Sequence, residues 1–446
     1  MPDPLIVDVP LSKISSSIAT GSMVTLRDGR IMWLWSTGIR LELLANYSSD
    51  GGQSWSDAAA CKMVDGRDVP SAGNVSVIRM ACGDLGLVQL TQLDGGGVAA
   101  IRKFSFYRSK DDGESWSEGV PMNGEGGRNI QLMDCLIQLS SGRLVVPFSV
   151  FMGPTPSVEL PDQVLRSGKP FGVVWSYNMG FCFCYYSDDE GRTWHRSRNE
   201  VHATINRGLE GGYMMDEPMV AETADGRLLM LANTSLGRLF RSYSEDGGET
   251  WLEAEPTDLV QRRSPLNLKR IPGTPDLLVI WNQVSNWEQL CGLFRHRLSC
   301  AVSSDHGQTW KHHKNLESFD DVCKLEPEPL SYWVTGGAIP PLNRDRYHRA
   351  PGAMKKDHPS CLFHDGKAII AYGVNNLGAQ QVIENTYAMD YEEVARKNGF
   401  QRSAQHGNPG VSKAKWYEGF NRVQIAPLEW LYQEANQSLQ VSDFSM

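Results

Sequence analysis

Two stretches of this 446-residue chain concentrate side chains that can move protons or grip anions. In Asp216-Glu217-Pro218-Met219 a carboxylate stands before a proline at the mouth of a strand, which makes Glu217 a candidate general acid or base with Asp216 beside it. The plain alternative is a carboxylate that only pairs with a nearby arginine. Between residues 341 and 364, Arg344, Arg346, Arg349, Lys355 and Lys356 stand against Asp345 and Asp357, with Tyr347, His348, His358 and His364 among them. A cationic stretch in a chain of net charge -9 suits a carboxylate or sulfate, and its imidazoles suit acid–base work; a solvated loop is the competing reading. Arg263, Arg270 and Arg297 are further guanidinium candidates for an anion, against structural ion pairing.

What must position these residues is written in a repeat. The pattern Ser-x-Asp-x-Gly-x-Ser/Thr-Trp occurs at Ser48–Trp55, Ser109–Trp116, Ser187–Trp194, Ser244–Trp251 and Ser303–Trp310. Its Asp and Ser side chains can accept backbone N–H groups and stiffen a turn, its Gly supplies a left-handed backbone, and its Trp returns the chain to a core. Six Gly-led turns followed by apolar strands lie at 28–33, 83–88, 142–146, 225–231, 275–281 and 365–372. Runs that are apolar on both faces suit strands packed between neighbouring sheets, so these are expected to be inner strands. Six strands and five boxes predict an all-β, six-bladed β-propeller filling residues 1–446 as one domain, the last blade lacking its box. A strand near 422–432 is expected to close the ring, residues 379–400 to form a short helix outside it, and a Pro- and Gly-rich insertion at 152–175 to cover one face. Asp134, in Gln131-Leu132-Met133-Asp134-Cys135, opens an inner strand and is a candidate to face the central channel.

Composition excludes several classes. The acidic balance argues against a nucleic-acid partner, and no apolar run is long enough for a membrane helix. The start, Met1 to Asp8, lacks a basic and apolar leader. With nine scattered cysteines, an odd number, this predicts reduced, mostly buried thiols in a cytoplasmic protein. No HExxH, paired CxxC or Walker loop is present, so no metal or other cofactor is expected.

Asp boxes on six blades resemble the sialidase superfamily over nearly the whole chain, in particular a bacterial exo-alpha-sialidase or BNR-repeat branch. Asp216 to Glu222 with Asp225 to Met230, Ser264 to Pro272 and Arg297 to Ser303 carry the likeness. The resemblance implies a clamp of arginines on a sugar carboxylate, a Tyr nucleophile paired with a Glu base, and an Asp acid. Glu217 matches the Glu. Asn233, within Leu231-Ala232-Asn233-Thr234-Ser235, stands where the family has an arginine, and Arg238 or Arg241 could restore a guanidinium. His358-Pro359-Ser360 stands where the last blade would offer Tyr, leaving His358 or Tyr347 for the nucleophile's role. Glu42, six residues before the first box, lies near the position of the acid, and Trp175 and Tyr177 could stack on a sugar ring. The expected ligand is an anionic glycan or sugar, and the sequence leaves room for a homo-oligomer. Hydrolysis of such a sugar is the first expectation, with a uronate-directed lyase and a non-catalytic sugar-binding propeller as alternatives.

Overall fold

The computed structural model describes residues 3–10, 21–36, 42–94, 101–124, 126, 129–130, 133–152, 179–205, 210–261, 264–285, 295–318, 322–330, 354–376 and 420–434. They form an all-β, six-bladed propeller. Blades one and two order their strands as Ser22–Thr25, Ile31–Ser36, Leu43–Ser48, Ala59–Ala60 and as Gly73–Arg79, Leu85–Asp94, Ile101–Ser109, Val120–Pro121. Blade three has a divided inner strand, Asn129–Ile130 and Ile137–Gln138, both paired with Leu144–Met152 and followed outward by Met179–Ser187 and His195–Arg196. Blades four and five are Met215–Glu222, Leu228–Thr234, Arg238–Ser244, Glu255–Val260 and Asn267–Arg270, Leu277–Asn282, Leu298–Ser303, Lys311–Glu317. Blade six runs Met354–His364, Lys367–Asn376, Phe420–Pro427 and then, from the other end of the chain, Leu5–Pro10. A further hairpin, Ala203–Ile205 with Glu210–Tyr213, stands apart from the blades.

The six apolar runs are the second strand of each blade, not the innermost. The second strand has a hydrogen-bonded neighbour on either side and an adjacent blade on both faces, so every residue of Ile31–Ser36, Leu228–Thr234 and Leu277–Asn282 is buried. The innermost strand borders the axial hollow and is freer to carry polar groups. Closure is shared: Phe420–Pro427 is the third strand of blade six, and Leu5–Pro10 pairs with it antiparallel, Asp8 opposite Arg422. The Arg422 guanidinium grips the Asp8 carboxylate with two hydrogen bonds of 2.6 and 2.9 Å across that seam. The missing sixth box follows from this topology. A box is the turn from third to fourth strand, and in blade six those strands come from opposite ends of the chain. The insertion from 153 to 175 and the segment 379–400 lie outside the described residues.

Each box is held as its residue types require. In the third, Ser187 Oγ donates to Asp189 Oδ1 at 2.8 Å and accepts the Gly191 N–H at 2.9 Å. Asp189 also takes the Thr193 N–H at 2.9 Å and its hydroxyl at 2.6 Å. Gly191 is left-handed at φ 87°, and a Cβ there would overlap the Phe106 ring of the preceding blade, so glycine is required twice over. Burial alone would raise the Asp189 carboxyl, but the Thr193 and Ser187 hydrogen bonds outweigh it and bring it down to about 2. Asp50, Asp111, Asp246 and Asp305 are lowered by the same balance. A carboxyl depressed in the folded state stabilises fully above its unfolded value of about 4 and loses that contribution as pH falls towards the folded value. The melting temperature should therefore hold near neutrality and drop steeply between about pH 4 and about pH 2, with a smaller drop for Asp189→Asn. A flat profile through that window would show that the boxes do not carry acid stability.

Inner strands touch between blades one and two, four and five, five and six, and six and one, and one carboxylate from blade three ties the axis together. Asp134, left-handed at φ 57°, sits where the inner strand of blade three opens. Its Oδ1 accepts the Ser22 hydroxyl of blade one at 2.9 Å and the Lys269 ammonium of blade five at 3.0 Å. Its Oδ2 accepts the Asn267 amide of blade five at 3.0 Å and the Cys361 N–H of blade six at 2.9 Å. Its own N–H donates to the Val75 carbonyl of blade two at 3.1 Å. Five blades thus meet at one buried residue, four of them at its side chain.

Candidate functional site

Strand register separates two ends of the ring. The Gly-led turns and the boxes lie at one end; the starts of the inner strands, with Glu217 and His358, lie at the other. On the inner strand of blade four, Asp216 pairs with Asn233 and Met219 with Leu231, so Glu217 and Pro218 together oppose Ala232 in a bulge. Blade six repeats the device: Asp357 pairs with Gly373 and Ser360 with Ala371, leaving His358 and Pro359 against Tyr372. Proline suits both places, because a bulge residue owes no ladder hydrogen bond. Glu217 and His358 are left-handed at φ 49° and 47°, a conformation costly for residues other than glycine and persisting only where surroundings impose it.

Those surroundings are the preceding aspartates. Asp216 is buried, and its Oδ1 accepts the Glu217 N–H at 2.7 Å and the Ser149 hydroxyl of blade three at 2.6 Å. Asp357 is fully buried, and its Oδ1 accepts the His358 N–H at 3.1 Å. The same oxygen lies 2.9 Å from His358 Nδ1 and is ion-paired with Arg295. Both bulge residues remain partly exposed while the two residues after each are buried. The Asn233 amide donates to Glu217 Oε2 at 2.8 Å and fixes the carboxylate's orientation. Arg295 is held in turn by blade six, its carbonyl accepting the Lys356 N–H at 2.7 Å, while Asn282 donates to the Lys356 and Arg297 carbonyls at 3.2 Å each. Among the described residues no cluster of three or more His, Cys, Asp or Glu is placed to hold a metal. Among them too, no helix is long and apolar enough to cross a membrane.

The BNR repeat-like domain family matches residues 48–332. The chain belongs to that family. Solved structures similar to this BNR-repeat protein share its fold. A protein of unknown function from Dyadobacter fermentans is 13% identical with TM-score 0.53, covering 95% of this chain and 99% of its own. A Trypanosoma rangeli sialidase is 14% identical with TM-score 0.52, and the match covers 97% of this chain but 60% of the sialidase. An alpha-L-arabinanase of Penicillium chrysogenum complexed with arabinobiose is 11% identical with TM-score 0.50, covering 96% and 99%. The propeller is therefore one that sugar-active enzymes also use. No curated protein matches the chain.

The residues singled out from the sequence fall into distinct places in this BNR-repeat protein. Glu217, Asn233 and His358 come to the same end of the ring. Asp216 does not offer its carboxylate to a ligand; it is buried and shapes the bulge. Asp134 does reach the axis, but four donors occupy its two oxygens, so it forms a floor and not a sugar contact. Arg241 is a correction. It lies at the boxed end, donating to the Gln308 carbonyl in the blade-five box at 2.8 Å, because three residues along a strand carried it away from Arg238. Arg238 is at the Glu217 end but two strands outward, donating to the Glu328 carbonyl. Arg297 is buried, its Nη1 3.5 Å from the Gln283 carbonyl. Glu42 lies at the rim of blade one, its backbone bridged to Pro70. Arg263, Arg346, Tyr347, Arg349, Trp175 and Tyr177 lie outside the described residues. Sequence reasoning missed Arg295 and the positioning role of Asp357. The triplet Asp-x-Pro at 216–218 and 357–359 also stands at 8–10 and 68–70, so alone it did not single out Asp357.

Proposed function

We propose that this protein is a glycoside hydrolase acting on a terminal sugar that bears a carboxylate or another anionic group. The observation that carries the reading is Glu217: a partly exposed carboxylate held in a strained bulge at the mouth of the axial hollow, one oxygen fixed by the Asn233 amide. A fold spends strain of this kind where it must aim a group. In this reading Glu217 takes a proton from the water that attacks the anomeric carbon, the bond to the leaving oxygen breaks, and that oxygen picks up a proton from solvent. His358 faces the same reaction from blade six. Arg295, ion-paired with Asp357 beside His358, supplies the guanidinium chemistry that suits an anionic sugar.

One contact favours a second reading. His358 Nδ1 lies 2.9 Å from buried Asp357, an arrangement suited to an imidazole base that removes the proton next to a uronate carboxylate and expels the glycosidic oxygen. A panel of sialyl, glucuronyl and galacturonyl glycosides, with products identified by mass and NMR, tests both. A saturated free sugar supports hydrolysis. An unsaturated product, absorbing in the ultraviolet, replaces hydrolysis by elimination. Glycan binding by both wild type and Glu217→Gln, with turnover by neither, overturns the enzyme reading.

A further inference from the structure

The bulge that presents Glu217 and His358 occurs a third time. On the inner strand of blade two, Gly73 pairs with Leu90 and Ser76 with Val88, leaving Asn74 and Val75 against Gln89. Asn74 is left-handed at φ 53°, close to the 49° and 47° of the other two. It repeats their exposure as well: partly open at the first bulge residue, buried at the next two. Blades two, four and six alternate with the blades whose side chains build the floor, namely Ser22 of blade one, Asp134 of blade three, and Asn267 and Lys269 of blade five. The ring thus divides its labour by parity. The side chains that tie the axis together come from odd blades, and the bulges that carry Asn74, Glu217 and His358 come from even blades, a third of a turn apart.

We infer that Asn74 is a third residue in contact with the bound sugar. This rests on the reading of the hollow as a sugar site and adds the recognition of its neutral face. A carboxamide both donates and accepts, so it matches neighbouring hydroxyls of a sugar ring, whereas Glu217 and His358 supply proton transfer. Asn is also among the residues that best tolerate a left-handed backbone, so the bulge itself does not explain a choice over glycine.

Asn74→Gly tests this, because glycine keeps the bulge and removes only the amide. Asn74→Asp keeps the shape and adds a charge that repels an anion. The probes are free N-acetylneuraminic acid and free glucuronic acid, titrated by calorimetry and by saturation-transfer NMR into wild type, Glu217→Gln and both Asn74 variants, with melting curves for each. The expected result is binding weakened about 5- to 10-fold by Asn74→Gly and more by Asn74→Asp, with each variant still folded at the temperature of the titration. Wild-type binding retained in full by both Asn74 variants overturns the role of Asn74 and leaves the acidic-sugar reading standing. Absence of binding by wild type to either sugar overturns the acidic-sugar reading and this inference together.

Discussion

Glu217→Gln is expected to lower turnover of the cleaved acidic glycoside by about 10²- to 10⁴-fold, the range in which a positioned acid or base contributes. The size of the loss follows from how little else changes. Gln has the shape of Glu, its N–H still donates to Asp216, and its carbonyl oxygen can still accept the Asn233 amide, so the bulge and its strain remain. What disappears is the ability to exchange a proton. A loss confined to kcat, with KM and melting temperature within error of wild type, is the signature. A variant that turns over normally would move the proton transfer elsewhere, with His358 first in line.

The second large effect is on stability. Asp134→Asn should cost about 3–5 kcal/mol, because it leaves the Lys269 ammonium, mostly buried, without its compensating charge. The replacement also points an NH2 group at donors that have no use for it. Backbone strain cannot explain the loss, since Asn accepts a left-handed φ as well as Asp does. Chemical unfolding measures it, and the double variant Asp134→Asn with Lys269→Met should recover part of the cost by removing the stranded cation. A loss under about 1 kcal/mol would mean the axial hydrogen bonds are dispensable.

The contrast between these sites shows what sequence can convey. The boxes were readable because every bond within one box spans at most four residues, from Ser187 to Gly191 and from Asp189 to Thr193. The second strands were readable because burial on both faces leaves an unbroken apolar run. Asp134 was a candidate for the channel, but its role was not legible, since its partners lie 112, 133, 135 and 227 residues away. Arg238 and Arg241 looked interchangeable as text, yet they serve opposite ends of the ring. The Asp-x-Pro triplet marks two of the bulges but also stands at 8–10 and 68–70, so it gains meaning only once two inner strands are known to open at the same register. Asn74 lacks the proline and escaped even that signal.

The seam of blade six sets an order on synthesis. A ribosome delivers blades one to five as consecutive segments, each able to pair its own strands as it emerges. The strand Leu5–Pro10 precedes all five of those blades in the chain and is used after them, since its partner strand ends at Pro427. For most of that time its apolar Leu5 and Ile6, still half-exposed in the finished ring, have no mate. A substitution that breaks this strand, such as Val7→Pro, would unlatch the sheet that carries His358 while leaving Glu217 on a blade already complete.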